Sequence, residues 1–123
     1  MEGKIFDLEK RTLEFSKRIL KMTKALPNND TNKHFSNQCI RSSTSIGANY
    51  REANDALGKK DFIHRVRIAR KEAKETEYWI ELIIEHNMIM ESRMKSLQKE
   101  AYELRNILSA IINKATKSEV VDV

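Results

Sequence analysis

The side chains of this sequence that are best placed to do chemistry are the lysines and arginines between positions 59 and 74. This segment holds seven of them against two acids, so its net charge is 7 − 2 = +5, equal to that of the whole chain. Five basic side chains advance by four, three, four and three residues, which places them along one helix face: Lys60, His64, Arg67, Lys71 and Lys74. Such a row can follow a phosphate backbone and release its counterions, and it fits an ordinary solvated face equally well.

One interpretation of this row is binding of structured RNA or DNA with weak dependence on sequence. The predicted phosphate contacts are Lys60, Arg65, Arg67, Arg70, Lys71 and Lys74, with Arg41 and Arg51 as secondary contacts. No aromatic platform is interleaved with the basic row, which argues against sequence-specific recognition of single strands. The alternative is a protein-interaction scaffold whose charges serve only solubility and assembly.

Residue types that carry catalysis or metal binding do not cluster in the sequence. The three histidines are scattered, and the inward Glu-x-x-His pairs of di-iron bundles are absent. The single Cys39 lies on an apolar stripe, which predicts a buried small hydrophobe and not a nucleophile, and it cannot form an internal disulfide. We therefore expect no enzymatic activity, no cofactor, no metal and no small-molecule substrate, in a cytoplasmic protein. No apolar run is long enough to predict a membrane span.

The elements that must position these residues are predicted from apolar side chains that recur at steps of three and four in four segments. This period is typical of helices that bury one side, and it predicts an all-α, up-down antiparallel four-helix bundle in a single domain, 1–123. The predicted helices span about 5–26, 32–56, 60–87 and 92–117, with a frayed tail at 118–123. The second stripe ends at Leu57 and the fourth at Ile111. Asp30 or Thr31 is the predicted N-cap of the second helix, and Gly58 a left-handed residue after its end.

The second helix carries a polar line beside its apolar stripe. Its members lie at the border of the predicted core: Gln38, Arg41, Ser45, Asn49 and Glu52. Polar groups at such a border need hydrogen-bond partners, so a structural network is favoured over direct contact with a ligand. The small side chains from Ser42 to Ala48 also allow a neighbouring backbone to approach closely.

Apolar side chains that lie off the core stripes predict a contact between subunits. The first helix has a second apolar line, Phe6, Leu13 and Leu20, and the third presents Tyr78 and Leu82 outward with Trp79 at the edge. Side chains of this kind are costly to leave in water, so we expect a homo-oligomer.

The stretch from Gln38 to Leu82 resembles the bacterial four-helix-bundle family named for the 23S rRNA intervening sequence proteins. The resemblance rests on the polar line of the second helix and on three runs in the third: Asp61-Phe62-Ile63-His64, Lys71-Glu72-Ala73-Lys74-Glu75-Thr76 and Tyr78-Trp79-Ile80-Glu81-Leu82. It implies a bundle assembled as a ring, typically a pentamer, with a link to RNA. A related branch serves as the accessory protein of diversity-generating retroelements, which implies a reverse transcriptase as a further partner.

Overall fold

Four α-helices of alternating direction account for nearly all of the chain. The computed structural model describes the backbone of residues 7–121 and the side chains of residues 7–117. The helices are α1 (Leu8–Lys24), α2 (Asp30–Asn54), α3 (Lys59–His86) and α4 (Glu91–Val121), with a 3-10 turn at Met88–Met90 before α4. The last helix continues to Val121, so the predicted irregular tail is wrong over residues 118–121.

Each helix packs against two neighbours in a closed square. The contacts join α1 to α2, α2 to α3, α3 to α4 and α4 back to α1, while the diagonal pairs stay apart within the described residues. The connections between helices are only a few residues long, which requires consecutive helices to run antiparallel. The predicted all-α, up-down four-helix bundle is confirmed, and no strand occurs between residues 7 and 121.

The helix ends follow local chemistry that differs from the prediction in two places. The cap of α2 is Asn29, whose side-chain oxygen accepts a hydrogen bond from the backbone N–H of Asn32 at 2.8 Å. Gly58 is the extended residue that precedes α3, with φ −162° and ψ 171°, and not a left-handed terminus. Both segments therefore begin a helix one or two residues before the predicted start.

The core is built from the predicted stripes, with departures at the ends of helices. Phe15, Ile46 and Ile80 are almost completely buried, as are most other stripe residues. Leu57 is fully exposed, because α2 ends at Asn54 and its periodicity stops there. In α4, Ile112 is buried in place of the predicted Ile111, which is only partly buried.

Helices α1 and α2 approach each other closely where Gly47 faces Thr12. A Cβ added to Gly47 would lie 2.9 Å from the Thr12 hydroxyl oxygen and 3.2 Å from the Thr12 Cβ. The hydroxyl itself donates within α1, to the carbonyl oxygens of Leu8 and Glu9. The small residues of α2 therefore do what their size predicted, since they let a neighbouring helix come near.

A buried pair of amides joins α2 to the end of α3. The Asn32 and Asn87 side chains exchange two hydrogen bonds, of 3.0 Å and 2.8 Å. The Asn32 amide also donates to the carbonyl oxygen of Pro27, and the Asn87 amide donates to that of Ile83. Four amide hydrogen-bonding groups are thus satisfied away from water.

Candidate nucleic-acid interface

The basic row of α3 lies on the outside of the bundle because the opposite side of the same helix is buried. Val66, Ala69 and Ala73 are completely buried against the neighbouring helices. The row, here called the basic ridge, is exposed throughout and consists of Lys60, His64, Arg67, Lys71 and Lys74. From Lys60 to Lys74 it extends roughly 20 Å along the helix at 1.5 Å per residue.

The lysines and arginines of the basic ridge have no acidic partner among the described residues. No carboxylate of residues 7–117 lies within salt-bridge distance of Lys60, Arg67, Lys71 or Lys74. These charges face water, where a phosphate chain could replace mobile counterions.

Arginines elsewhere in the bundle are used differently. Arg11 donates to both oxygens of Glu100, at 2.7 and 2.8 Å, and to Glu103 at 2.8 Å. These hydrogen bonds, with that to Glu100 foremost, raise the pKa of Arg11 above its ordinary value. Arg105 pairs with Glu77, which raises its pKa in the same way. Both pairs join different helices, so they hold the bundle together.

The other predicted phosphate contacts are less available than the ridge. Arg65 and Arg70 are half-buried, and Arg65 donates to the Asn49 side chain at 3.4 Å. Arg51 is 3.9 Å from Glu9. Arg41 donates to Glu75 at 2.5 Å and to Glu72 at 3.4 Å, so its charge is paired with carboxylates of α3.

The predicted polar network of α2 forms only in part. Asn49 donates to the carbonyl oxygen of Ser45, and the Ser45 hydroxyl donates to that of Arg41. The side chains of Gln38 and Glu52 make no hydrogen bond within the described residues. The network reaches α3 through Arg41 and Asn49, and it therefore serves packing between the two helices.

A shallow groove of about 550 Å³ lies beside the C-terminal half of the basic ridge. Its lining is Arg67, Arg70, Lys71, Lys74, Glu75, Tyr78 and Trp79. The acid in this lining is Glu75, whose carboxylate accepts the hydrogen bond from Arg41. Both aromatic side chains follow the last lysine of the ridge and are not interleaved with its cations, and Tyr78 is exposed as its outward position in the sequence predicted. Their position could be found in the sequence, because Tyr78 follows Lys74 by four residues and Lys71 by seven.

The two aromatic residues of the groove are anchored to different degrees. Trp79 is half-buried and meets His34 and Phe35 with ring centroids 5.9 and 6.1 Å apart. Tyr78 meets Trp79 at 5.3 Å in a T-shaped arrangement, yet it remains 57% exposed.

The remaining predicted interface residues divide between exposed and half-buried positions. Leu13 and Leu20 are 43% and 40% exposed on α1, whereas Leu82 is half-buried. Phe6 lies outside the described residues.

Neither a metal centre nor a reactive thiol accompanies the groove. Within the described residues no group of three or more His, Cys, Asp or Glu side chains could hold a metal ion. Cys39 is completely buried, and burial raises its pKa to about 12, so the thiol stays protonated and unreactive. No helix in the described part of the chain has the length and apolar character needed to cross a bilayer.

Comparison with known proteins places this bundle in a family. The model of the 23S rRNA-intervening sequence protein family matches residues 5–110, which is most of the chain. The chain belongs to this family. A solved structure from Bacteroides thetaiotaomicron, a protein with unknown function from the S23 ribosomal protein family, is 42% identical with a TM-score of 0.77. That alignment covers 85% of this chain and 96% of the other, and no curated protein matches.

Family membership confirms the resemblance and the bundle architecture. The matched region, residues 5–110, includes the whole basic ridge and the groove beside it. Since the solved relative has unknown function, the ridge has to be interpreted from its own charges and geometry.

Proposed function

We propose that this family member is a non-enzymatic cytoplasmic protein that binds the phosphate backbone of structured RNA or DNA through the basic ridge. One observation carries the proposal: the ridge lysines and arginines have no acidic partner in the described residues, whereas Arg11, Arg41 and Arg105 are all neutralised within the bundle. Charges that stabilise a fold are normally paired within it, and charges that face outward together attract a polyanion.

Assembly would strengthen such binding. We propose a homo-oligomer, supported by the exposed Leu13 and Leu20 on α1, and the family resemblance implies a ring of five. A ring presents the ridge several times, so weak individual contacts combine through effective concentration. Light scattering that returned only the 14.4 kDa monomer at micromolar concentration would contradict this part of the proposal.

The test of the phosphate contacts is the salt dependence of binding. A quadruple variant neutralises the ridge: Lys60→Gln, Arg67→Gln, Lys71→Gln and Lys74→Gln. A control variant removes the same charge from exposed lysines on the other three helices: Lys10→Gln, Lys33→Gln, Lys99→Gln and Lys114→Gln. Fluorescence anisotropy would follow a labelled duplex DNA over a range of salt concentrations.

The slope of the logarithm of the binding constant against the logarithm of the salt concentration is expected to be smaller in magnitude by roughly 3 to 4 for the ridge variant. Each lost phosphate contact removes about 0.9 from this slope on duplex DNA. The control variant is expected to change the slope much less. Both should retain the helical circular dichroism of the wild type, since all eight side chains lie outside the core. Equal slopes for the wild type and the ridge variant would refute phosphate binding by this face.

A second candidate is a scaffold, or an accessory subunit of a nucleic-acid enzyme such as a reverse transcriptase, that does not itself contact nucleic acid. The exposed Leu13 and Leu20 favour it, because unpartnered apolar side chains suit a protein partner. This function predicts that the ridge and control variants lose the same small amount of non-specific binding.

A further inference from the structure

We infer that the groove beside the basic ridge is a subsite for an unpaired base, which stacks on Tyr78 while its phosphates lie along Arg67, Lys71 and Lys74. The inference rests on the proposed function and adds to the phosphate contacts of the ridge one site for an unpaired base, as found in a single strand or a bulge.

The positions of the groove residues fit one nucleotide. Lys74 and Tyr78 are four residues apart on one helix, which separates them by about 6 Å along its axis. A phosphate held near Lys74 therefore leaves its own base within reach of Tyr78. Arg67 and Lys71 continue in the opposite direction, where the neighbouring phosphates would follow.

Tyr78 has the properties of a stacking platform. More than half of its side chain is open to water, and the contact with Trp79 limits its movement. Trp79 is in turn held by His34 and Phe35, so the platform rests on a cluster anchored to α2. An ordered, exposed ring beside cations is what single-strand-binding proteins offer to bases.

The charge around Tyr78 favours nucleic acid over a second copy of the chain. Arg67, Arg70, Lys71 and Lys74 line the same groove, so a protein surface that covered Tyr78 would have to present several acidic side chains to it, whereas every phosphate of a nucleic acid carries a negative charge. The acid of the lining does not repel a phosphate strongly, because Arg41 covers the Glu75 carboxylate. This assigns Arg41 a supporting role in place of the predicted direct contact.

The experiment compares a short oligouridine with a fully paired RNA hairpin of equal phosphate number. Tyr78→Ala is expected to weaken oligouridine binding roughly ten-fold or more, as loss of one stacked base does, with little effect on the hairpin. Tyr78→Phe keeps the ring and should bind both probes like the wild type. Trp79 is the single tryptophan of the chain, so its fluorescence reports binding in the groove. Oligouridine should quench this fluorescence in the wild type and in Tyr78→Phe, but not in Tyr78→Ala.

Several results would overturn the inference. If Tyr78→Ala binds oligouridine as tightly as the wild type, the base subsite fails, while salt-dependent hairpin binding that the ridge variant loses still supports the proposed function. If neither RNA binds, both fail. A lower mass for Tyr78→Ala in light scattering would make Tyr78 a subunit contact, and equal quenching by polyglutamate would make the groove a site for acidic peptides.

Discussion

Replacing Gly47 by alanine should destabilise the bundle, although alanine is the better helix former. The added Cβ would lie 2.9 Å from the Thr12 hydroxyl oxygen and 3.2 Å from the Thr12 Cβ. The hydroxyl cannot move freely, because it is buried and bonded to the carbonyl oxygens of Leu8 and Glu9. The Cβ cannot move without the backbone, so α1 itself has to shift.

The magnitude follows from two opposing terms. Alanine gains about 1 kcal/mol over glycine in a helix interior. Overpacking a rigid contact costs typically about 1–3 kcal/mol, and the upper half of that range applies where a backbone must move. Gly47→Ala should therefore lower the free energy of unfolding by about 1–2 kcal/mol, which corresponds to a fall in Tm of roughly 4–8 °C for a domain of this size.

Urea denaturation at one fixed protein concentration measures this loss. Ala48→Gly serves as the control, because Ala48 is the exposed neighbour on α2 and reports helix propensity alone. Adding Thr12→Ala to Gly47→Ala removes the 2.9 Å contact and should recover part of the loss, as a coupling of about 0.5 kcal/mol or more. If Gly47→Ala proved as stable as the wild type, the close approach of α1 and α2 would not be as described.

Two further predictions concern buried polar groups. Asn87→Ala leaves the side-chain oxygen of Asn32 buried without its partner, so it should cost about 1–3 kcal/mol in urea denaturation, and a loss within error of zero would contradict the amide pair. Cys39 should resist thiol reagents at pH 8 until the protein unfolds. The pKa of the Cys39 thiol is about 12 in the folded protein and 9.0 ordinarily, so between these values only the unfolded chain loses the proton. The free energy of unfolding should therefore be unaffected by this thiol below pH 9 and should fall by at most about 1.4 kcal/mol per pH unit from pH 9 to pH 12. Cys39→Ala should show a shallower decline than the wild type over this range, and parallel declines would contradict it.

Much of the fold could be predicted from periodicity because burial on a helix leaves a direct trace in the sequence. Phe15, Ile46 and Ile80 are buried where the stripes placed them, and the ridge from Lys60 to Lys74 is exposed for the same reason. The errors fall at helix ends, where the apolar period stops and local capping determines which residue begins or ends the helix. Leu57 continued a stripe beyond the last turn of α2, so a periodic pattern alone could not show that it faces water.

The site was harder to predict because it depends on contacts between helices. No pattern within α2 shows that Arg41 reaches Glu75, since that contact depends on how α2 and α3 are aligned along their length. The amides of Asn32 and Asn87 are 55 positions apart and meet only in the folded chain. Tyr78 could be found from its spacing to Lys74, but spacing does not show how far its ring is exposed or what anchors Trp79.

The paired amides at one end of the bundle also favour one alignment of α2 and α3 along their length over others. Apolar stripes with a repeating period could interlock almost as well after one helix slid past another by a turn, about 5.4 Å. Such a slip would separate Asn32 from Asn87 and leave each amide in the core without the other as its hydrogen-bond partner. The amide pair thus fixes the register of α2 relative to α3. The basic ridge of α3 makes no contact with these amides, so its side chains can be substituted while the amide pair still fixes how the two helices align.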